Sequence, residues 1–270
     1  PQIEVAVGRS GGAQKTVLVL RVLQPPDAED LARLEAFAAA HAVSIWLQPG
    51  GPDTAAPMDR SQAVGLTLEL PEFGVSLPFA PTDFTQVNHR INEVLVRVAV
   101  RLLDPRQGDR IADFFCGLGN FTLPLARRCA AVVGVEGSRE LLARAAQAAQ
   151  RHGMGQRVGF LERNLFEWTI PDWERLLAKG PVDRVLLDPP REGALALAKV
   201  LASTDTPPRR VVYVSCNPAT LARDCAVLVH EGGWSLAAAG VVNMFPHTSH
   251  VESIAMLEPP LAAAPSSPPA

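Results

Sequence analysis

From Asp104-Pro105 to Glu258 the chain alternates short β-prone runs with amphipathic stretches, and that alternation leaves few folds open. Strands are expected near residues 110–114, 131–135, 158–162, 183–187, 210–214, 234–241 and 251–257. Helices are expected near 120–129, 138–151, 171–179, 194–203 and 218–230. Strands separated by helices pair in parallel, because a parallel connection must cross over the sheet. The pattern therefore predicts an α/β fold: a doubly wound, Rossmann-like parallel sheet ending in two strands with no helix between them.

A different texture precedes it. Residues 1–80 read as a small α/β lobe. Ile3–Val7 and Thr16–Val22 flank Gly8-Arg9-Ser10-Gly11-Gly12, a hairpin signal. Asp27–His41 carries Leu31, Leu34 and Phe37-Ala38 at helical spacing. Val43–Leu47 is a short strand, and Leu66–Leu70 with Val75–Phe79 forms a second hairpin. Residues 81–104 are expected to be a linker and a helix from about Asn88 to Leu103, and 105–258 the catalytic domain. The Pro/Ala/Ser-rich stretch Pro259–Ala270 reads as a disordered tail.

Composition narrows the function class. No apolar run is long enough for a transmembrane helix and no signal peptide is visible, so a cytoplasmic protein without a membrane partner is expected. The chain opens at Pro1, and it is expected to be a fragment of a longer protein. Cysteines stand at 116, 129, 216 and 225 with no CxxC spacing, which argues against a metal site within these residues. A net charge of −3 does not advertise nucleic-acid binding.

Five polar groups fall just past five successive strands, the edge where open parallel sheets bind ligands. The first is the turn Asp113-Phe114-Phe115-Cys116-Gly117-Leu118-Gly119-Asn120, whose glycines permit a tight turn and close approach of a ligand. GxGxxG is not completed, since Thr122 holds the last position, and a purely structural turn is equally open. The second is Glu136, able to accept both hydroxyls of a ribose or to be a solvated carboxylate. Asn164 is the third, reading an adenine edge or shaping a turn. The fourth is Asp188, held by the extended turn Pro189-Pro190-Arg191-Glu192-Gly193. The fifth is Cys216, in Ser215-Cys216-Asn217-Pro218, where Pro218 stops the strand and opens a helix. On its own Cys216 reads as a nucleophile or as one more packing cysteine.

Together the glycine turn, the ribose acid and the Asp-Pro-Pro turn suit a nucleoside-containing cofactor. The incomplete GxGxxG speaks against NAD, and the absence of a P-loop pattern speaks against ATP hydrolysis. S-adenosyl-L-methionine fits best. A sixth candidate, Glu252, opens the last strand, 36 residues beyond Cys216. A nucleophile and a carboxylate converging there suit covalent addition followed by proton removal, with His247 and His250 as alternative bases or simply loop residues.

Asp113–Asn120, Asp188–Gly193, Ser215–Pro218 and His250-Val251-Glu252-Ser253 resemble the motifs of the RNA uracil-5-methyltransferase family, and Phe84-Thr85-Gln86-Val87-Asn88 resembles the segment entering its methyltransferase domain. The likeness runs from about Ala28 to Glu258 and is greatest toward one bacterial 23S rRNA branch, with the transfer-RNA branch and the RlmC-like branch as alternatives. The resemblance implies a class I S-adenosylmethionine methyltransferase sheet, with Cys216 as nucleophile and Glu252 as the base that takes the uracil C5 proton. It also implies cofactor contacts from Gln86, Phe115, Asn120, Glu136, Asn164 and Asp188. The implied partner is RNA, most readily 23S rRNA, and a monomer is expected. An iron–sulfur cluster and an OB-like RNA-binding module belong to upstream regions that these residues do not include. Phe84 is a candidate to stack on a base drawn out of its helix. A cytosine-5 or amino-group methyltransferase and a non-catalytic RNA-binding assembly factor are the other readings of this fold.

Overall fold

A computed structural model describes residues 2–60 and 65–260, so the expected disordered tail lies, from residue 261 onward, outside the described residues. The chain divides into two compact units, Pro1–Gln86 and Val87–Ala270.

The first unit is a six-stranded sheet in the order β4-β3-β2-β1-β5-β6. Its strands are β1 (Gln2–Ser10), β2 (Ala13–Arg21), β3 (Ser44–Gln48), β4 (Ala56–Pro57), β5 (Leu66–Leu70) and β6 (Val75–Phe79). Gly11 and Gly12, both at positive φ, close the β1–β2 hairpin without steric cost. β2 and β3 pair in parallel across the helix α1 (Ala28–His41), whose N-cap Asp27 and Asp30 form a capping box.

The second unit opens with α2 (His89–Leu103), capped by Asn88, whose Oδ1 accepts from the Ile91 amide. It therefore starts inside the stretch expected to be a linker and helix. The reason is that α2 buries Leu95, Val96, Ala99, Val100 and Leu103 and packs on the sheet of its own unit.

That sheet has seven strands in the order β12-β13-β11-β10-β7-β8-β9. They are β7 (Arg110–Phe114), β8 (Ala131–Glu136), β9 (Val158–Glu162), β10 (Arg184–Leu187), β11 (Arg210–Ser215), β12 (Ser235–Val242) and β13 (Glu252–Glu258). β7 to β11 are parallel, with α3 (Thr122–Ala126), α4 (Arg139–Arg151), α5 (Ile170–Leu177) and α6 (Leu195–Ser203) in the crossovers. α7 (Pro218–Gly232) then leads to β12. β13 turns back and inserts antiparallel between β11 and β12. Phe114, Trp173 and Tyr213 are the bulky side chains of the core. Among the described residues no helix is long and apolar enough to cross a membrane.

The amino ends of the central strands are tied by charge. Arg184 Nε donates to Asp109 Oδ2 at 2.6 Å, and both side chains are buried. Burial alone would raise the Asp109 carboxyl, but the bonds from Arg184 and the Arg106 amide hold it below the ordinary range. Asp183 accepts from the Arg110 amide at 2.8 Å and pairs with Arg209. Removing one member of a buried pair strands the other charge. Asp109→Ala is expected to cost about 3–5 kcal/mol, read as a lowered urea midpoint at unchanged slope.

Candidate functional site

The carboxyl edge of the same strands gathers the groups singled out from the sequence. β11 ends at Ser215, and its register with β13 pairs Ser215 with Ser253. Cys216 follows Ser215 out of β11 and Glu252 precedes Ser253 at the start of β13, so the two flank the last pair of the ladder, near enough for Glu252 to raise the thiol.

Local bonds hold both. Ser215 Oγ accepts from the Asn217 amide at 3.1 Å and donates to the Asn217 carbonyl. Ser253 Oγ donates to the Ser215 carbonyl at 2.9 Å. Asn217 then caps α7 through the Ala219 amide, with Pro218 in the first turn, so the chain has to bend at Cys216. Of the four cysteines, 116, 129 and 225 are buried and Cys216 alone is half-exposed, which separates it from a packing role.

Acids crowd this point. Glu252 is 2% exposed, and burial pushes its carboxyl up to about 7. Asp188 is raised well above the carboxylate range by burial, and further by Glu252 and Asp113. Burial raises the Cys216 thiol too, Glu252 and Asp188 add to it, and Arg191 opposes them. Among the described residues no cluster of His, Cys, Asp and Glu is arranged to hold a metal ion.

Beside this group lies the glycine turn after β7. Phe115, Gly117 and Gly119 all take positive φ, at 62°, 52° and 88°. A Cβ at Gly117 would meet nothing within 4 Å, so its backbone is open to a ligand, whereas one at Gly119 would strike Leu123 Cδ1 at 2.7 Å. Glu136 Oε2 accepts from the Gly117 amide at 3.2 Å, and Oε1 accepts from Gly137 and Ser138. This carboxylate therefore joins the turn to the start of α4.

Asp113, beneath the turn, was not singled out from the sequence as a site residue. It is fully buried, its Oδ2 takes the Thr122 hydroxyl at 2.5 Å, and its Oδ1 has no partner. Burial lifts it to about 7, with Glu136 adding to the effect. A buried oxygen without a donor beside an open glycine backbone is what a cationic, hydrogen-bonding ligand would satisfy. The residues present thus fit an aminoacyl nucleoside such as S-adenosylmethionine.

The remaining candidates divide. Phe115 packs on Phe166 with ring centroids 5.7 Å apart, next to Asn164, whose Oδ1 accepts from the Phe166 amide at 3.1 Å and shapes the turn. Asn120 and Asn92 of α2 pair reciprocally through their amides, both bonds at 2.9 Å. Gln86, the last residue of the first unit, is buried with Oε1 unpartnered, and Phe84 in that unit is 77% exposed. His250 lies 3.3 Å from Arg191 Nη2, and His247 is exposed in the same loop.

The strand order, the antiparallel β13 and the open glycine turn define a Rossmann-like class I methyltransferase. A family model described as a methyltransferase domain matches residues 111–189, and one described as tRNA (Uracil-5-)-methyltransferase matches 174–259. The chain belongs to the RNA uracil-5-methyltransferase family. It is 59% identical over 263 residues to the 23S rRNA (uracil(1939)-C(5))-methyltransferase RlmD of Burkholderia thailandensis, covering 96% of this chain and 55% of that protein. It is 55% identical over 269 residues to the protein of the same name from Ralstonia pickettii, covering 96% and 57%. The chain thus spans about half the length of the curated relatives it matches.

Among solved structures, the Pyrococcus abyssi tRNA (uracil-54, C5)-methyltransferase in complex with S-adenosyl-L-homocysteine aligns with a TM-score of 0.69 at 23% identity, over 94% of this chain and 59% of that one. The M. jannaschii tRNA m1G37 methyltransferase aligns with a TM-score of 0.59 at 8% identity, over 94% and 72%. At these identities the two share the fold with this chain.

The raised carboxyl has a consequence for stability. Glu252 keeps its proton in the folded chain up to about pH 7, while in the unfolded chain it ionises near its ordinary value. The fold therefore loses stability as pH rises between those points, and the loss is complete above the folded value. Glu252→Gln is expected to raise Tm by a few degrees near pH 8, and the gain should vanish near pH 4 in calorimetric scans. A gain independent of pH would refute the assignment.

Proposed function

We propose that this chain is the catalytic part of a cytoplasmic enzyme that methylates uracil C5 in 23S rRNA with S-adenosylmethionine. The observation that supports the reading is the β11–β13 pairing, whose last pair, Ser215 with Ser253, is flanked by a partly exposed thiol and a buried carboxyl. The curated relatives bear the rRNA name, which favours that substrate over tRNA.

Uracil C5 is too weak a nucleophile to be methylated directly. Cys216, as the thiolate, adds to C6. The C5–C6 π electrons move toward O4, and the resulting enolate places electron density on C5. When bound, S-adenosylmethionine supplies an electrophilic methyl group. Gly117, Gly119, Asp113 and Glu136 are the groups that would hold it, with Phe115, Asn120, Asn164 and Asp188 as further contacts. Once C5 carries its methyl group, Glu252 takes the remaining C5 proton. The electron pair restores the double bond and Cys216 leaves as thiolate.

The environment of Glu252 suits its part. A base whose carboxyl is lifted to about 7 binds a proton more strongly than an ordinary carboxylate and is still half ionised at neutral pH. Burial and two neighbouring acids disfavour the Cys216 thiolate, which makes it a good leaving group only when that charge is relieved, and Arg191 is the cation on hand. Amino-group methylation has no use for the pair Cys216–Glu252.

With RNA carrying 5-fluorouridine the C5 substituent cannot leave as a proton. The chain is expected to form an adduct that survives denaturing gels, and Cys216→Ala should abolish it. Glu252→Gln should accumulate the methylated adduct on ordinary rRNA, with turnover reduced by roughly 10²-fold or more. An adduct undiminished in Cys216→Ala would remove the nucleophile from this reading.

A further inference from the structure

The loop Pro189–Ala194 carries Arg191, whose side chain is exposed and whose arc would be wide if its backbone were free. Three of its residues are held instead, and every group holding them belongs to the segment that carries Cys216. Asn217 Nδ2 donates to the Arg191 carbonyl at 3.0 Å. Arg223 Nη2 donates to the Glu192 carbonyl at 2.8 Å. The Ala194 amide donates to Asp224 Oδ2 at 2.7 Å and to the Tyr213 hydroxyl oxygen at 2.9 Å.

Asp224 is the centre of this clamp. It is fully buried on α7, its Oδ2 takes the Tyr213 hydroxyl at 2.7 Å, and its Oδ1 takes Arg223 Nε at 2.8 Å. Gly193 sits directly on it at φ +80°, where a Cβ would come within 2.6 Å of Asp224 Oδ2 and 2.7 Å of Arg223 Nη2. Only glycine brings the loop this close without displacing the pair. A buried carboxylate with this many donors is costly to build, and none of its bonds reaches the uracil or cofactor groups.

We propose that Asp224 is a positioning residue: with Tyr213 and Arg223 it fixes the backbone of residues 191–194 so that Arg191, whose carbonyl is bonded to Asn217 next to the thiol, stays beside Cys216. The charged groups around that thiol are then Arg191 and Asp188 from the loop and Glu252 from β13, with His250 beside Arg191. Arg191 is the one that favours the thiolate. Releasing the clamp frees the loop that carries Arg191 from the Cys216 segment and leaves the thiol to the two acids. The inference rests on Cys216 as the nucleophile of the proposed reaction.

The test reads the thiol without RNA. Alkylation of Cys216 by iodoacetamide is followed against pH in the full chain and in Tyr213→Phe, Asp224→Asn, Arg191→Gln and the two double variants with Arg191→Gln. Cys216→Ala supplies the background, and thermal melts establish folding. A pKa raised by one unit lowers the thiolate fraction about tenfold and raises its intrinsic reactivity about threefold, for a net loss of about threefold below the midpoint. Tyr213→Phe and Asp224→Asn are expected to show that loss with the midpoint moved to higher pH. In the Arg191→Gln background neither should add to it, because both act through that side chain. An unchanged profile in folded Tyr213→Phe, or an Asp224→Asn effect equally large without Arg191, would overturn the proposal. If Asp224→Asn does not fold, Tyr213→Phe carries the same cycle, since it removes one hydroxyl and keeps the ring. Absence of the fluorouridine adduct in the unmodified chain would instead sink the uracil reading, independently of the alkylation profile.

Discussion

The pairing of β11 with β13 is the constraint on which the rest of the site depends. A purely parallel sheet would end at β11 with a free edge, and its ligand groups would all come from strand-to-helix turns. Because β13 runs the other way, its first residue reaches the edge where β11 finishes. Glu252 is thereby held at that edge by backbone pairing to Val242, next to the Ser215–Ser253 pair, which is stiffer than a loop. Ser253, bonded to the Ser215 carbonyl, locks the register at the point where one residue of slip would turn Glu252 to the opposite face.

That arrangement is electrostatically expensive. Burial raises Asp113, Asp188, Glu252 and the Cys216 thiol alike, and neighbouring acids add to the effect at Asp113, Asp188 and Cys216. The strain sits at the carboxyl edge, while the opposite edge carries satisfied pairs such as Arg184–Asp109 and Arg209–Asp183. Stability and chemistry are thus separated along the strands. The raised carboxyls are those that a proton acceptor at neutral pH requires. In the Tyr213–Asp224–Arg223 clamp the buried carboxylate is satisfied by Tyr213, the Ala194 amide and the exposed Arg223.

Much of this was legible in the order of residues. The alternation of β-prone and amphipathic runs located every strand of the second unit to within a residue or so, since each strand is bounded by glycine, proline or a capping side chain. The strand-end positions of Asp188, Cys216 and Glu136 followed from the same pattern. Other features were hidden because they are made by residues far apart in the chain. Nothing local marks Asp113 as a buried acid with an unpartnered oxygen, or Asn120 as the partner of Asn92 on a helix 28 residues earlier. Asp224 looks like an ordinary helical acid until Tyr213 and the Ala194 amide are brought against it.

By itself the sequence determined the α/β fold, the edge of the sheet that would carry function and the residue types gathered there, because hydrophobic period and turn chemistry act over a few residues. Tertiary structure alone decided which cysteine stays partly exposed, which acids are buried together, and that α2 belongs to the second unit. Those outcomes depend on strand direction, register and exclusion of water, and each is a property of segments that meet only once the chain has folded.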